Sequence, residues 1–150
     1  MQFNRTINTV DTHTEGEPTR IILSGAGPLR GRSALDRMRH FRAERDHLRT
    51  GLLLEPRGHR GMYGCVLFEP EAEFADWGVF YMDNRGYMRM CGHATVGVST
   101  ALVELGLVAV TEPETNIVLE TPAGIVRSSV EVEDGRARRV RFQNVPAYAI

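Results

Sequence analysis

The chain contains no lysine; all 18 of its basic residues are arginine. That absence excludes a Schiff-base amine and a phosphate-loop lysine from its chemistry. Cysteine is also scarce, present only as Cys65 and Cys91, and no apolar run is long enough to span a bilayer. The start, Met1-Gln-Phe-Asn-Arg-Thr6, lacks the charged and apolar regions of a secretion signal. The cytoplasm is therefore the expected compartment, with both thiols reduced. A net charge of −1 implies no strongly charged macromolecular partner. No repeat, linker or low-complexity segment divides the 150 residues, and 42% hydrophobic content suits one globular domain with an adequate core.

The residues present suggest strands, a helix, more strands, one buried helix, and strands again. Ile7–Val10 and Arg20–Leu23 flank the polar stretch Asp11-Thr-His-Thr-Glu-Gly-Glu-Pro18 and read as a strand pair or one interrupted strand. Gly25–Gly31 reads as a loop. From Ser33, a suitable N-cap, to about Thr50, Leu35, Met38, Phe41 and Leu48 recur near helical spacing among charges, which predicts an amphipathic surface helix. The short apolar runs Leu52–Leu54, Cys65–Phe68 and Val79–Met82 read as strands, with Asp83–Gly86 a hairpin-like turn. From Gly92 to Leu105, apolar or small residues lie on every face, with Gly106 as the stop. A helix without a polar face must be enclosed, and a sheet wrapped around it is the simplest packing. Ile117–Glu120, Ile125–Glu133 and Arg138–Phe142 continue the strands, the last pair turning at Asp134-Gly135. The expected class is α+β.

The sharpest chemical feature is Tyr87-Met-Arg-Met-Cys91-Gly-His-Ala-Thr-Val-Gly97, where an apolar run ends in a thiol and a small-residue helix opens. The first N–H groups of that helix have no intrahelical partner. With the helix dipole they favour negative charge, so a Cys91 thiolate is expected to form more easily and an anionic substrate group to find a cradle. Gly92 lets another group approach the backbone, and His93 can donate a hydrogen bond.

Other constellations have simpler explanations. Cys65, inside an apolar strand, reads as structural. Asp11, His13, Glu15 and Glu17 alternate along an extended segment in a way that suits a divalent metal, but Gly16 and Pro18 interrupt the strand and a hydrogen-bonded turn uses the same residues. No metal is assigned. Glu55-Pro-Arg-Gly-His-Arg-Gly-Met-Tyr-Gly64 is a glycine-rich chain reversal without a phosphate-loop pattern, leaving His59 on the surface. Asp36, Glu44 and Asp46 interleave with the arginines between Arg30 and Arg49, so a solvated helix face is preferred to a nucleic-acid surface.

Asp11-Thr-His-Thr-Glu-Gly-Glu-Pro-Thr-Arg20, Leu54-Glu-Pro-Arg-Gly-His59, Met62-Tyr-Gly64, Gly86-Tyr-Met-Arg-Met-Cys-Gly-His93 and Asn144-Val-Pro-Ala-Tyr148 resemble, in order, successive motifs of the proline racemase family. That family includes proline racemase, 4-hydroxyproline epimerase and trans-3-hydroxyproline dehydratase. The resemblance covers the N-terminal half of the family's usual length. It implies a lobe of the diaminopimelate epimerase type, mostly antiparallel sheet around a central buried helix, with the substrate between this lobe and a second. It further implies cofactor-independent proton transfer at the α-carbon of proline or hydroxyproline. Cys91 matches one of two catalytic cysteines, and Gly92 and His93 fall on carboxylate-binding positions. Tyr63 stands where proline racemases tend to carry phenylalanine against the ring, which points toward a hydroxylated substrate. The second lobe carries the other catalytic residue, cysteine in racemases and epimerases and threonine in dehydratases. This sequence therefore leaves those activities unseparated. The expected partners are a small imino acid and, through the exposed lobe face, a second lobe or a second copy in a homodimer; a C2 pair would present Cys91 from both sides. Neither nucleic acid nor membrane is expected. A non-catalytic domain that keeps the anion site and assembles through its apolar face is the alternative reading of the same residues.

Overall fold

The computed structural model describes residues 4–146. Ten elements follow one another: β1 (Asn8–Thr14), β2 (Glu17–Ser24), α1 (Ala34–Leu53), β3 (Tyr63–Phe68), β4 (Trp77–Asp83), β5 (Tyr87–Met88), α2 (Gly92–Glu104), β6 (Glu114–Thr121), β7 (Gly124–Glu133) and β8 (Arg136–Gln143). The strands form one sheet in the order β1-β2-β3-β4-β6-β7-β8, with β5 pairing along β4. Among the described residues, only the β2/β3 and β4/β6 pairings are parallel. Both edge strands, β1 and β8, pack on α2, so the sheet curls around that helix. α1 covers the opposite face over β3, β4 and β6. The class is α+β, as expected.

The alternation of β3 and β4 explains why both are buried on both faces. Cys65, Leu67, Val79 and Tyr81 point inward to Ala94, Val98 and Leu102 of α2. Val66, Phe68, Phe80 and Met82 point outward to Met38, Phe41 and Leu53 of α1. α2 begins at Cys91 and ends in a Schellman motif. Gly106 takes φ 65°, its N–H donates to Val103 O at 3.1 Å, and Leu107 N–H donates to Leu102 O at 2.9 Å.

Ser33 caps α1 as predicted, its hydroxyl accepting from the Asp36 N–H at 3.1 Å. The predicted strand Leu52–Leu54 does not form: Leu52 and Leu53 are the last turn of α1, and Leu54 N–H still donates to Thr50 O at 3.1 Å. Three apolar residues fit either period, and full burial of Leu53 against β3 and β4 favours the helix. The polar stretch after Val10 is not an interruption either. β1 and β2 run through it, joined by Glu15-Gly16 at φ 51° and 90°, a turn that glycine makes inexpensive. Along β1, Val10, Thr12 and Thr14 are the more covered residues, while Asp11 and His13 face solvent.

Candidate active site

Cys91 caps the N-terminus of α2 in an extended conformation (φ −146°, ψ 114°). Gly92 and His93 follow as its first helical residues, so their N–H groups have no intrahelical acceptor. The Cys91 Sγ lies 3.5 Å from His93 Nδ1. Tyr63, the first residue of β3, sets its ring edge-on to the His93 imidazole, with centroids 4.4 Å apart and planes at 88°. The structure thus brings Cys91, Gly92, His93 and Tyr63 together. Thr14 donates to His93 O at 3.0 Å and ties the end of β1 to the start of α2.

The thiol itself differs from the sequence expectation. Burial pushes the Cys91 thiol above its ordinary range; the Ala94 backbone N–H pulls it down, and the carboxylates of Asp83 and Glu17 push it further up. Desolvation outweighs the Ala94 N–H, so the thiolate is harder to form here than the helix terminus alone suggests. Cys65 is fully buried, and that burial drives its thiol well upward, with nearby Cys91 adding to the effect. The two cysteines are unbonded.

Several residues that support this site were not singled out from the sequence. Asn84, in the β4–β5 turn, donates to Leu53 O at 2.7 Å and His59 O at 3.1 Å, and accepts from Gly61 N–H at 2.8 Å. It therefore fixes the glycine-rich segment that runs into Tyr63. Arg20 pairs bidentately with Asp11 across the β1/β2 hairpin at 2.8 and 2.9 Å and donates to the carbonyls of Leu52 and Arg57 at 2.7 Å. Beneath Cys91, the buried Thr95 hydroxyl donates to Cys91 O at 2.8 Å, and Tyr81 OH lies 2.8 Å from that hydroxyl. The i, i+4 spacing of Cys91 and Thr95 is the one signal that marked this contact in advance.

Asp11 is committed to Arg20, and among the described residues no three His, Cys, Asp or Glu side chains gather around a point. The arginines of α1 are partly spent on the protein itself: Arg45 on Ala26 O and Pro28 O, Arg49 on Asp46, and Arg37 on Glu71. No helix among the described residues is long and apolar enough to cross a membrane. Ala147 and Tyr148 of the last sequence motif lie outside the described residues.

Comparison with known proteins bears on the family. The family model described as proline racemase matches residues 9–150. The chain is 46% identical over 148 residues to a proline racemase of Clostridioides difficile, an alignment covering 99% of this chain and 44% of that protein. It is 50% identical over 149 residues to a 4-hydroxyproline 2-epimerase of Streptosporangium roseum, covering 99% and 45%. The crystal structure of a hydroxyproline epimerase from Agrobacterium vitis with bound trans-4-hydroxy-L-proline superposes with a TM-score of 0.90 at 29% identity, covering 97% of this chain and 43% of that one. The chain thus spans less than half the length of the relatives it matches, and within that span it belongs to the proline racemase family.

Proposed function

We propose that this chain is the N-terminal lobe of a cofactor-independent racemase or epimerase of proline or hydroxyproline, in which Cys91 moves the α-proton on one face of the substrate. The observation that carries this reading is the place of Cys91: a thiol at the mouth of α2, beside the N–H groups of Gly92 and His93. A carboxylate held by those N–H groups sits at the positive end of the helix. When the Cα–H pair stays on carbon, negative charge spreads into that carboxylate, and N–H groups aimed at it stabilise the charge as it develops. The proton passes to Sγ, or from it in the reverse direction. Sγ takes a proton as the thiolate and gives one as the thiol, and burial, which raises its proton affinity, makes the thiolate the stronger base. Tyr63, edge-on to His93, would flank the ring of a substrate held there.

The opposite face needs a second acid–base group. Cys65 is unsuited to that task because it is sealed in the core. On this reading the group belongs to a second lobe, where a cysteine would complete a racemase or epimerase and a threonine a dehydratase. Copies of the lobe are expected to associate through the exposed face that presents Cys91. Substrate protection tests the binding half of this reading. L-proline or trans-4-hydroxy-L-proline should slow alkylation of Cys91 by iodoacetamide in a saturable way; alkylation indifferent to both compounds at millimolar concentration would refute it.

A further inference from the structure

The hydroxyls of Tyr81 and Thr95 form a buried, directional chain that ends on the backbone of Cys91. Both residues have zero exposure. Thr95 Oγ1 lies 2.8 Å from Cys91 O and 2.8 Å from Tyr81 OH. Donor counting fixes the direction: a carbonyl only accepts, so the single Thr95 proton goes to Cys91 O, and Tyr81 must donate to Thr95. The other acceptor near Thr95 is the weaker sulfur of Met90, at 3.7 Å. Cys91 O also receives the Thr95 N–H at 3.0 Å, so two donors from one residue pin it.

The Cys91–Gly92 peptide is trans, so its N–H points opposite to its C=O. Holding the carbonyl toward the core therefore aims the Gly92 N–H away from it, toward the side where the helix N-terminus is open. A chain of donors also polarises the peptide it ends on and strengthens the N–H at its far side. We infer that Tyr81 and Thr95 are positioning residues that orient and polarise the Gly92 N–H for a substrate carboxylate. This rests on the reading of Gly92 as a carboxylate binder. Burial raises Tyr81 well above its ordinary range, which keeps the phenol protonated as a donor.

The test compares two alkylating agents of one chemistry. Iodoacetate and iodoacetamide both lose iodide to the Cys91 thiolate, but only iodoacetate carries the anion that the Gly92 N–H would hold. Their rate ratio at one pH, scored on the Cys91 peptide by mass spectrometry, cancels the thiolate fraction and general access. The charged and titratable groups about the thiol, Asp83 from β4, Glu17 from β2, Cys65 from β3 and His93 from α2, are unchanged in the variants. The wild-type ratio should exceed that of glutathione. Tyr81→Phe and Thr95→Val should lower it by up to about threefold, since the Gly92 N–H stays in place and loses only its orientation and polarisation, while Thr95→Ser retains it. Tyr81→Phe removes a single oxygen, so it carries the test even where Thr95→Val fails to fold. An elevated wild-type ratio left unchanged in folded Tyr81→Phe overturns this inference alone. A wild-type ratio no higher than that of glutathione overturns the carboxylate reading, and this inference with it.

Discussion

The Nδ1 atom of His93 stands 3.5 Å from the Sγ of Cys91, and both lie in the first turn of one helix whose N–H groups face outward. Even so, the thiol is held above its ordinary range, because burial costs the thiolate more than the Ala94 N–H returns to it. The rate of Cys91 alkylation against pH should therefore inflect above the ordinary thiol value of about 8.5. The sign for stability follows from the same shift. The unfolded thiols ionise first, so the contribution of Cys91 and Cys65 is complete below that value and is lost as pH rises through it. Urea midpoints should fall between about pH 8 and 10, and less steeply in Cys65→Ala.

Gly97 of α2 faces Thr12 of β1 so closely that a Cβ there would stand 2.4 Å from the Thr12 hydroxyl. Gly97→Ala should cost about 1–3 kcal/mol by overpacking. Thr12→Ala, which removes the obstructing atoms, should recover part of that loss in the double variant. Chemical denaturation of the four proteins measures the coupling; additive losses would show that the clash is relieved by some other movement.

Asn84 holds the segment before Tyr63 through three hydrogen bonds. Asn84→Ala should lower stability by about 1–3 kcal/mol, since the carbonyls of Leu53 and His59 and the N–H of Gly61 lose their partner. Trypsin should then cut after Arg57 and Arg60 about tenfold faster, because local opening becomes easier. An unchanged cleavage pattern would mean that the segment is held without Asn84.

Tyr63 is the residue through which ring hydroxylation should be read. Tyr63→Phe should lower the preference for trans-4-hydroxy-L-proline over L-proline by about three- to tenfold, the worth of one hydrogen bond, in protection of Cys91 from alkylation. The edge contact with His93 survives in phenylalanine, so a fall for both ligands alike would instead indicate a packing role.

Much of this arrangement is legible in the amino-acid order. The unbroken apolar character of α2 demands enclosure, and the two-faced burial of β3 and β4 follows from their continuous apolar runs. Local pattern fails where distant contacts decide. Leu53 is helical because Phe41 and Met38 lie on the same face of α1 and share its pocket against the sheet. The Glu15-Gly16 turn keeps β1 and β2 continuous because Arg20 and Asp11 meet across the hairpin. At the site, the helix terminus of Cys91 and the i, i+4 spacing of Thr95 are visible in sequence, whereas the burial of Cys91, the upward shift of its thiol and the approach of Tyr81 from β4 depend on how the sheet packs on α2. Asn84 is a turn residue by sequence, and its carbonyl partners are 25 and 31 positions away.

If Cys91 carries an α-proton between substrate and solvent, proton exchange reveals it directly. L-proline and trans-4-hydroxy-L-proline are incubated with the chain in deuterated buffer, the α-proton is followed by NMR, and configuration is read by chiral chromatography. A single base working from one face removes a proton and returns a deuteron to the same face. Loss of the α-proton signal with configuration retained is expected in the wild-type chain, and none of it in Cys91→Ser. The same exchange in Cys91→Ser, or no exchange in the wild-type chain, would contradict that role.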